Sequence, residues 1–161
     1  MIDGHFFNFN KLDYVKKKKS GCILCSLIDK TTDSPDLEIY RSLLSAVSMN
    51  LYPYNSGHIM IYPLRHIESI CDLSEEEEAS DIHRLSAASV RILTDELSPT
   101  GFNIGYNIGE NSGASIKHLH LHIVPRYNNE LGFAEVIAGK RVVVVEPVSL
   151  LDSLRVKYAQ L

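Results

Sequence analysis

The clearest periodicity in the chain is HLHLHIVPR, which begins at position 118. Strict alternation predicts a strand with two unlike faces. Leu119, Leu121 and Ile123 would enter a core, and His118, His120 and His122 would share the opposite face. A helix would scatter the same residues around its axis, because its period is 3.6 residues. The second strong pattern follows Ser74-Glu-Glu-Glu77, which reads as a capping box with acidic residues at the positive end of a helix. Ile82, Leu85, Ser89, Ile92 and Leu93 then keep near-helical spacing. A long helix is expected from Glu75 to Leu97, stopped by Pro99 and Gly101.

Shorter segments fill in the order. ILCSLI after Cys22 predicts a short helix, and Thr31 to Asp36 a loop around Pro35. EIYRSLLSAVSMN and HIMIYPL read as strands, with the turn YPYNSG between them. FNIGYNIG reads as a strand and GENSGAS as a loop before the histidines. KRVVVVEP is a β-rich run, and a C-terminal helix is expected near Leu150 to Tyr158. Residues 1–20 read as an irregular arm whose Phe6, Phe7, Phe9 and Tyr14 can pack on something. This order predicts an α+β fold, an antiparallel sheet with the long helix over one face. The 161 residues suit a single domain, 1–161, with a sizeable core.

Composition narrows the function classes. Hydrophobic residues make up 45% and charged residues 22%, as in a globular protein. A net charge of −4 argues against gripping nucleic acid by bulk electrostatics. The basic run Lys16 to Lys19 is short, lacks interleaved aromatics and reads as a solvated loop. No apolar run reaches membrane-spanning length, and the first residues lack the features of a signal peptide, so a cytoplasmic protein is expected, with no membrane partner. Cys22, Cys25 and Cys71 do not read as a disulfide framework.

Two chemistries compete for the histidines. Cys22-Ile-Leu-Cys25 is a two-thiolate half-site, and His66 and the HxHxH strand offer imidazoles to complete a tetrahedron. The alternative is nucleophilic catalysis, in which a neutral ring attacks phosphorus or an acyl centre. Such an attack needs donors around developing negative charge. The loop before the strand offers Asn107, Ser112, Ser115 and backbone N–H groups, with Gly109 and Gly113 permitting close approach. A metal held catalytically by all three histidines is a third possibility that same-face geometry permits.

HLHLHIV has the form of the histidine triad motif, in which three histidines alternate with apolar residues. NLYPYNSGHIMIYPLRH and GFNIGYNIGENSGASIKHLHLHIVPRY resemble two further segments of the histidine triad family, in the right order. The resemblance runs from about Cys22 to Phe133. It implies a HIT-like fold of about five antiparallel strands with a long helix, a two-fold homodimer, and action on the α-phosphate of nucleotides. Dinucleoside polyphosphates and nucleoside phosphoramidates are the substrates it implies, and a nucleotide-binding scaffold with little turnover is the non-enzymatic alternative. By position, His120 would be the nucleophile and form a nucleotidyl-histidine. His122 and His58 would contact the phosphate. Asn107, Ser115 and the Gly113 backbone would bind phosphate or leaving group, and Asn50 the ribose. The resemblance also implies a structural zinc on Cys22, Cys25, His66 and His118. Cys71, His5 and His83 need no function.

The stretch VPRYNNELGF followed by EVIAGKRVVVVEP resembles the branch of diadenosine tetraphosphate phosphorylases and hydrolases. That branch typically has Trp where Tyr127 stands, and a polar set where this chain has Asn129-Glu130-Leu131-Gly132. The departure leaves open whether phosphate or water accepts the nucleotidyl group.

Overall fold

The computed structural model describes residues 21–128, Glu130 and 147–161. The N-terminal arm, the Lys16 to Lys19 run, His5, Asn129, Leu131 to Phe133 and residues 140–146 of the β-rich run lie outside the described residues. The segments read as strands are β1 (Glu38–Arg41), β2 (Ser45–Met49), β3 (Ile59–Pro63), β4 (Gly101–Tyr106) and β5 (Leu121–Arg126). They form one antiparallel sheet in the order β1-β2-β3-β5-β4. Among the described residues three α-helices accompany it: α1 (Ile23–Ile28), α2 (Ser80–Leu97) and α3 (Pro147–Tyr158).

EIYRSLLSAVSMN divides into two strands rather than one. Ser42 makes the break: its hydroxyl accepts from the N–H groups of Leu44 and Ser45, and its own N–H donates to the Ser45 carbonyl at 2.9 Å. Leu43 projects from the tip, 96% exposed. The side-chain oxygen therefore replaces ladder bonds and turns the backbone.

The start of the long helix also differs in detail from its expected capping box. Glu75–Ala79 is a π-turn, and the α-helix proper begins at Ser80. The extra residue in that turn shifts the reciprocal cap by one position. The Glu78 N–H donates to Ser74 Oγ at 3.1 Å, and the Ser74 N–H donates to Glu78 Oε2 at 2.9 Å. Glu78 also receives Arg65 at 2.7 Å, which, with Ser74, outweighs partial desolvation and lowers its carboxyl below the usual range. At the other end Ser98, not Gly101, takes the left-handed conformation, and Pro99 follows it. Gly101 instead opens β4.

The two faces of the sheet carry unequal cores. Val47, Met49, Ile59, Ile61, Leu121 and Ile123 point to one side, against Ile82, Leu85 and Leu93 of α2 and Leu150, Leu151 and Leu154 of α3. Each such buried aliphatic contributes about 1.5–3 kcal/mol. The buried Tyr158 hydroxyl donates to Ser89 Oγ at 2.6 Å, and Ser89 Oγ to the Leu85 carbonyl at 2.7 Å, so α3 is tied to α2 by a satisfied polar link. The other face carries a smaller cluster of Leu24, Ala46, Met60 and Tyr62, closed by α1. The candidate chemistry lies on that second face.

Candidate active site

Leu121 and Ile123 enter the larger core as expected, but the histidines opposite them are not a solvated polar face. His118, His120 and His122 are all buried. Regular pairing also starts later than the alternation predicts, at Leu121. Upstream, the Leu119 N–H leaves the sheet to donate to the Ile67 carbonyl at 2.7 Å, which steers His118 away from its neighbours. The three rings therefore reach two different sites.

His118 joins Cys22, Cys25 and His66. Their ligand atoms all lie within 4.8 Å of one another, a group positioned to bind a metal ion. His118 Nδ1 is 3.6 Å from both sulfurs, and Cys25 Sγ is 3.2 Å from His66 Nδ1. The outward nitrogens have partners. His118 Nε2–H donates to the Pro63 carbonyl at 2.9 Å, and His66 Nε2 faces Glu68 at 3.5 Å. Such contacts hold the ring and leave Nδ1 bare toward the cluster. Without an ion, desolvation and the neighbouring Cys22 thiol push the Cys25 thiol up to about 11. Two thiolates and two imidazoles are the donor set of a closed zinc site, so the residues fit that ion. Cys71 lies outside this group and is exposed.

His120 points into the pocket beneath α1. Its Nδ1–H donates to the His118 carbonyl at 2.7 Å, which fixes the tautomer and leaves Nε2 unprotonated. Burial lowers its basicity, partly offset by that carbonyl. The ring is thus neutral at physiological pH, with a lone pair facing the pocket.

His122 and His58 form a relay beside it. The Tyr54 N–H donates to His58 Nδ1 at 3.0 Å, so His58 carries its proton on Nε2. That nitrogen meets His122 Nδ1 at 3.0 Å, which places the His122 proton on Nε2. The Asn107 amide reaches His122 Nε2 at 3.3 Å, and this tautomer requires it to present its oxygen. Burial lowers the His58 pKa to about 3, with the neighbouring His122 and His120 adding to the shift. The His122 Nε2–H is thus engaged by Asn107, and the His120 and His122 rings lie edge to face with centroids 4.7 Å apart.

The pocket holds the remaining expected residues. Asn50, Asn107, Gly113, Ser115, His120 and His122 line it together. Asn50 lies beside His58, whose carbonyl accepts the Asn50 N–H at 3.0 Å. Ser115 is exposed at the mouth. Ser112 is not available as a donor to ligand, because its hydroxyl is turned to the Gly109 carbonyl at 2.7 Å. Gly109 and Gly113 both have left-handed φ, of 86° and 85°, which explains glycine at the two ends of the short turn Glu110–Ser112. Gly57, next to His58, is fixed more tightly. A Cβ there would run into Leu97 Cδ1, on a backbone with φ of 76°.

Some pocket residues were not legible as site residues. Tyr54 stacks on His58 with centroids 4.9 Å apart, yet YPYNSG reads as a turn. Ser48 and Glu38 line the pocket from β2 and β1. Their signal is a polar residue on the inward face of otherwise apolar strands, visible once the register is known.

Comparison with known proteins agrees with this geometry. The profile of the HIT domain matches residues 31–129. The AP-4-A phosphorylase of Mycobacterium tuberculosis is 35% identical over 129 residues, covering 80% of this chain and 64% of that protein. The chain therefore spans less than two thirds of that relative's length. The adenosine 5′-monophosphoramidase of Schizosaccharomyces pombe is 29% identical over 112 residues, covering 70% of this chain and 79% of that protein. A zinc-bound histidine triad family protein from Mycobacterium smegmatis superposes with a TM-score of 0.70 at 25% identity, over 87% of this chain and 94% of that one. With the profile matching more than half of the chain, across the segments that carry His58, His120 and His122, the chain belongs to the HIT domain family.

Proposed function

We propose that the chain is a nucleotide hydrolase or transferase acting at the α-phosphorus of dinucleoside polyphosphates. The observation that carries this reading is His120, whose Nδ1–H is held by the His118 carbonyl while Nε2 faces a donor-lined pocket. In the first step Nε2 bonds to the α-phosphorus and the bridging oxygen departs with the rest of the polyphosphate. In the second step water or inorganic phosphate displaces His120 and restores the neutral ring. His122 stabilises charge on the phosphate oxygens, and His58, buried behind it, acts through its hydrogen bond to His122 Nδ1. Asn107, Ser115 and the Gly113 backbone bind phosphate or leaving group, and Asn50 takes the ribose. The donors are preorganised by hydrogen bonds that exist before substrate arrives.

Incubation with diadenosine tetraphosphate, with and without inorganic phosphate, tests the reading. ADP plus ATP formed only with phosphate identifies a phosphorylase, and phosphate-independent AMP plus ATP a hydrolase. The 29% identical phosphoramidase supports a second substrate class, nucleoside phosphoramidates, read out as AMP release. No cleavage of either class, with tight nucleotide binding, would leave a binding scaffold.

Zinc is the ion proposed for the Cys22, Cys25, His66 and His118 cluster. It would supply a fixed crosslink between the segment of α1 and the segments around β3 and β5, with no part in the phosphorus chemistry. A homodimer is also proposed. Among the described residues β4 is an edge strand, and Ile104 on it is 50% exposed, with Ile70 and Ile108 also exposed. An apolar edge of this kind is a pairing surface that monomers avoid. Light scattering should give twice the chain mass, and Ile104→Arg should give the single mass while keeping the circular dichroism spectrum. No helix among the described residues is long and apolar enough to cross a membrane.

A further inference from the structure

Four side chains form one cross-strand row on the histidine face of the sheet. His122 pairs with Met60, Met60 with Ser48, and Ser48 with Glu38. With strands about 4.8 Å apart, the row is roughly 14 Å long from β5 to β1. All four residues line the pocket. A nucleoside monophosphate laid along it, phosphorus at the histidines, sets its base over Met60 and Ser48 and its outer edge at Glu38.

Two features at the far end call for a ligand. The pairing of β1 with β2 shifts between Glu38 and Tyr40, a bulge that keeps Glu38 in the pocket while Ile39 joins the opposite core. Its carboxylate is held by Arg41, from Nε at 3.1 Å and Nη2 at 2.6 Å, and Arg41 also donates to the Ile28 carbonyl at the end of α1. Held in this way, the carboxylate still has lone pairs to accept further hydrogen bonds. The second feature is Ser48 Oγ, buried with no hydrogen-bond partner among the described residues. The Tyr62 hydroxyl lies beside it but outside hydrogen-bonding geometry. A hydroxyl left unpaired in an apolar wall is costly, unless a partner arrives from outside.

We propose that Ser48 and Glu38 read the edge of the nucleobase and select bases that carry an exocyclic amino group. Glu38 can only accept, which suits an amine. Ser48 can accept from the same amine or donate to the ring nitrogen beside it. A base without the amine gives Glu38, already held by Arg41, nothing further to accept and leaves Ser48 as it is in the free protein, so the discrimination comes mainly from the lost contacts. The proposal rests on the nucleotide reading above and adds the base class to it.

The test is calorimetric binding of AMP and of purine riboside 5′-monophosphate, which has hydrogen in place of the amino group. The wild type is expected to bind AMP about 10-fold more tightly. Ser48→Ala combined with Glu38→Gln should bring the ratio near one, while affinity for the amine-free nucleotide changes by less than about twofold, which also reports an intact fold. Equal affinities in the wild type, or a preference that survives the double substitution, overturn the base reader and leave the nucleotide site standing. Binding of neither nucleotide to the wild type overturns both. Should the double variant fail to fold, the near-isosteric Glu38→Gln alone decides: a preference that stays at its wild-type size overturns the assignment of Glu38.

Discussion

His120→Ala should lower turnover by at least about 10⁴-fold while leaving nucleotide binding measurable, because no other described imidazole presents a bare nitrogen to the same position. The phosphate donors, Asn50 and the apolar wall remain in place in that variant. Quench-flow trapping of a labelled nucleotidyl-protein in the wild type, absent in the variant, is the direct measurement. Turnover within tenfold of wild type would sink the covalent mechanism. The same ring sets the acid limb of kcat/KM. Since burial lowers the His120 pKa, the reactive neutral form persists below the ordinary value of 6.5, and the limb should lie on the acid side of it. Stability behaves differently. The unfolded chain takes a proton on His58 near 6.5 and the folded chain only near 3, so stability is full above 6.5 and falls as pH drops through that interval. A window is therefore expected below pH 6.5 in which each folded molecule keeps its nucleophile while the folded state weakens.

Removal of the metal is the second large effect. With zinc on Cys22, Cys25, His66 and His118, and free zinc a hundredfold above its Kd, loss of the ion costs about 3 kcal/mol or more. For a chain of this size that corresponds to a fall in Tm of roughly 10 °C. Calorimetry before and after chelation, with elemental analysis for one zinc per chain, measures it. Cys22→Ser with Cys25→Ser should reproduce the chelated Tm and be insensitive to chelator. A wild-type Tm unmoved by complete removal of the metal would mean that the cluster contributes nothing to stability. A consequence for the pocket should accompany the thermal shift. His118 offers its ring to the cluster and its carbonyl to His120, so freeing the ring loosens the hydrogen bond that orients the nucleophile. Turnover of the metal-free protein should fall through kcat more than through KM.

The parts of the fold that were legible in sequence are those where one period dominates. The alternation at Leu119 to Ile123 and the spacing from Ile82 to Leu93 each bury one face, and the structure buries those faces. What was not legible depends on residues competing with the backbone for hydrogen bonds. Ser42 breaks a segment whose propensity is continuous, and a single extra residue in the π-turn moves the cap from Glu77 to Glu78. Neither event alters the hydrophobic pattern, so neither leaves a trace in it. At the site, the histidines announce themselves by type and spacing. Ser48 and Glu38 do not, because their meaning lies in register across four strands. The burial of the histidine face was hidden for a similar reason: it is closed by α1, a six-residue helix far away in sequence.

The inequality of the two cores has a dynamic consequence. Among the described residues, fifteen buried side chains form the core that joins α2 and α3 to one face, whereas α1 joins a cluster of four through Leu24 and is linked further at Cys25 and Ile28. Opening of α1 exposes far less apolar surface than unfolding does, so it sits at the low end of the chain's ladder of opening free energies. Amide protons of β3 and β5 can then exchange with solvent through global unfolding, while those of α1 exchange through a local event. Zinc on the cluster would slow that local event, because it would tie Cys22 and Cys25 of the α1 segment to His66 and His118.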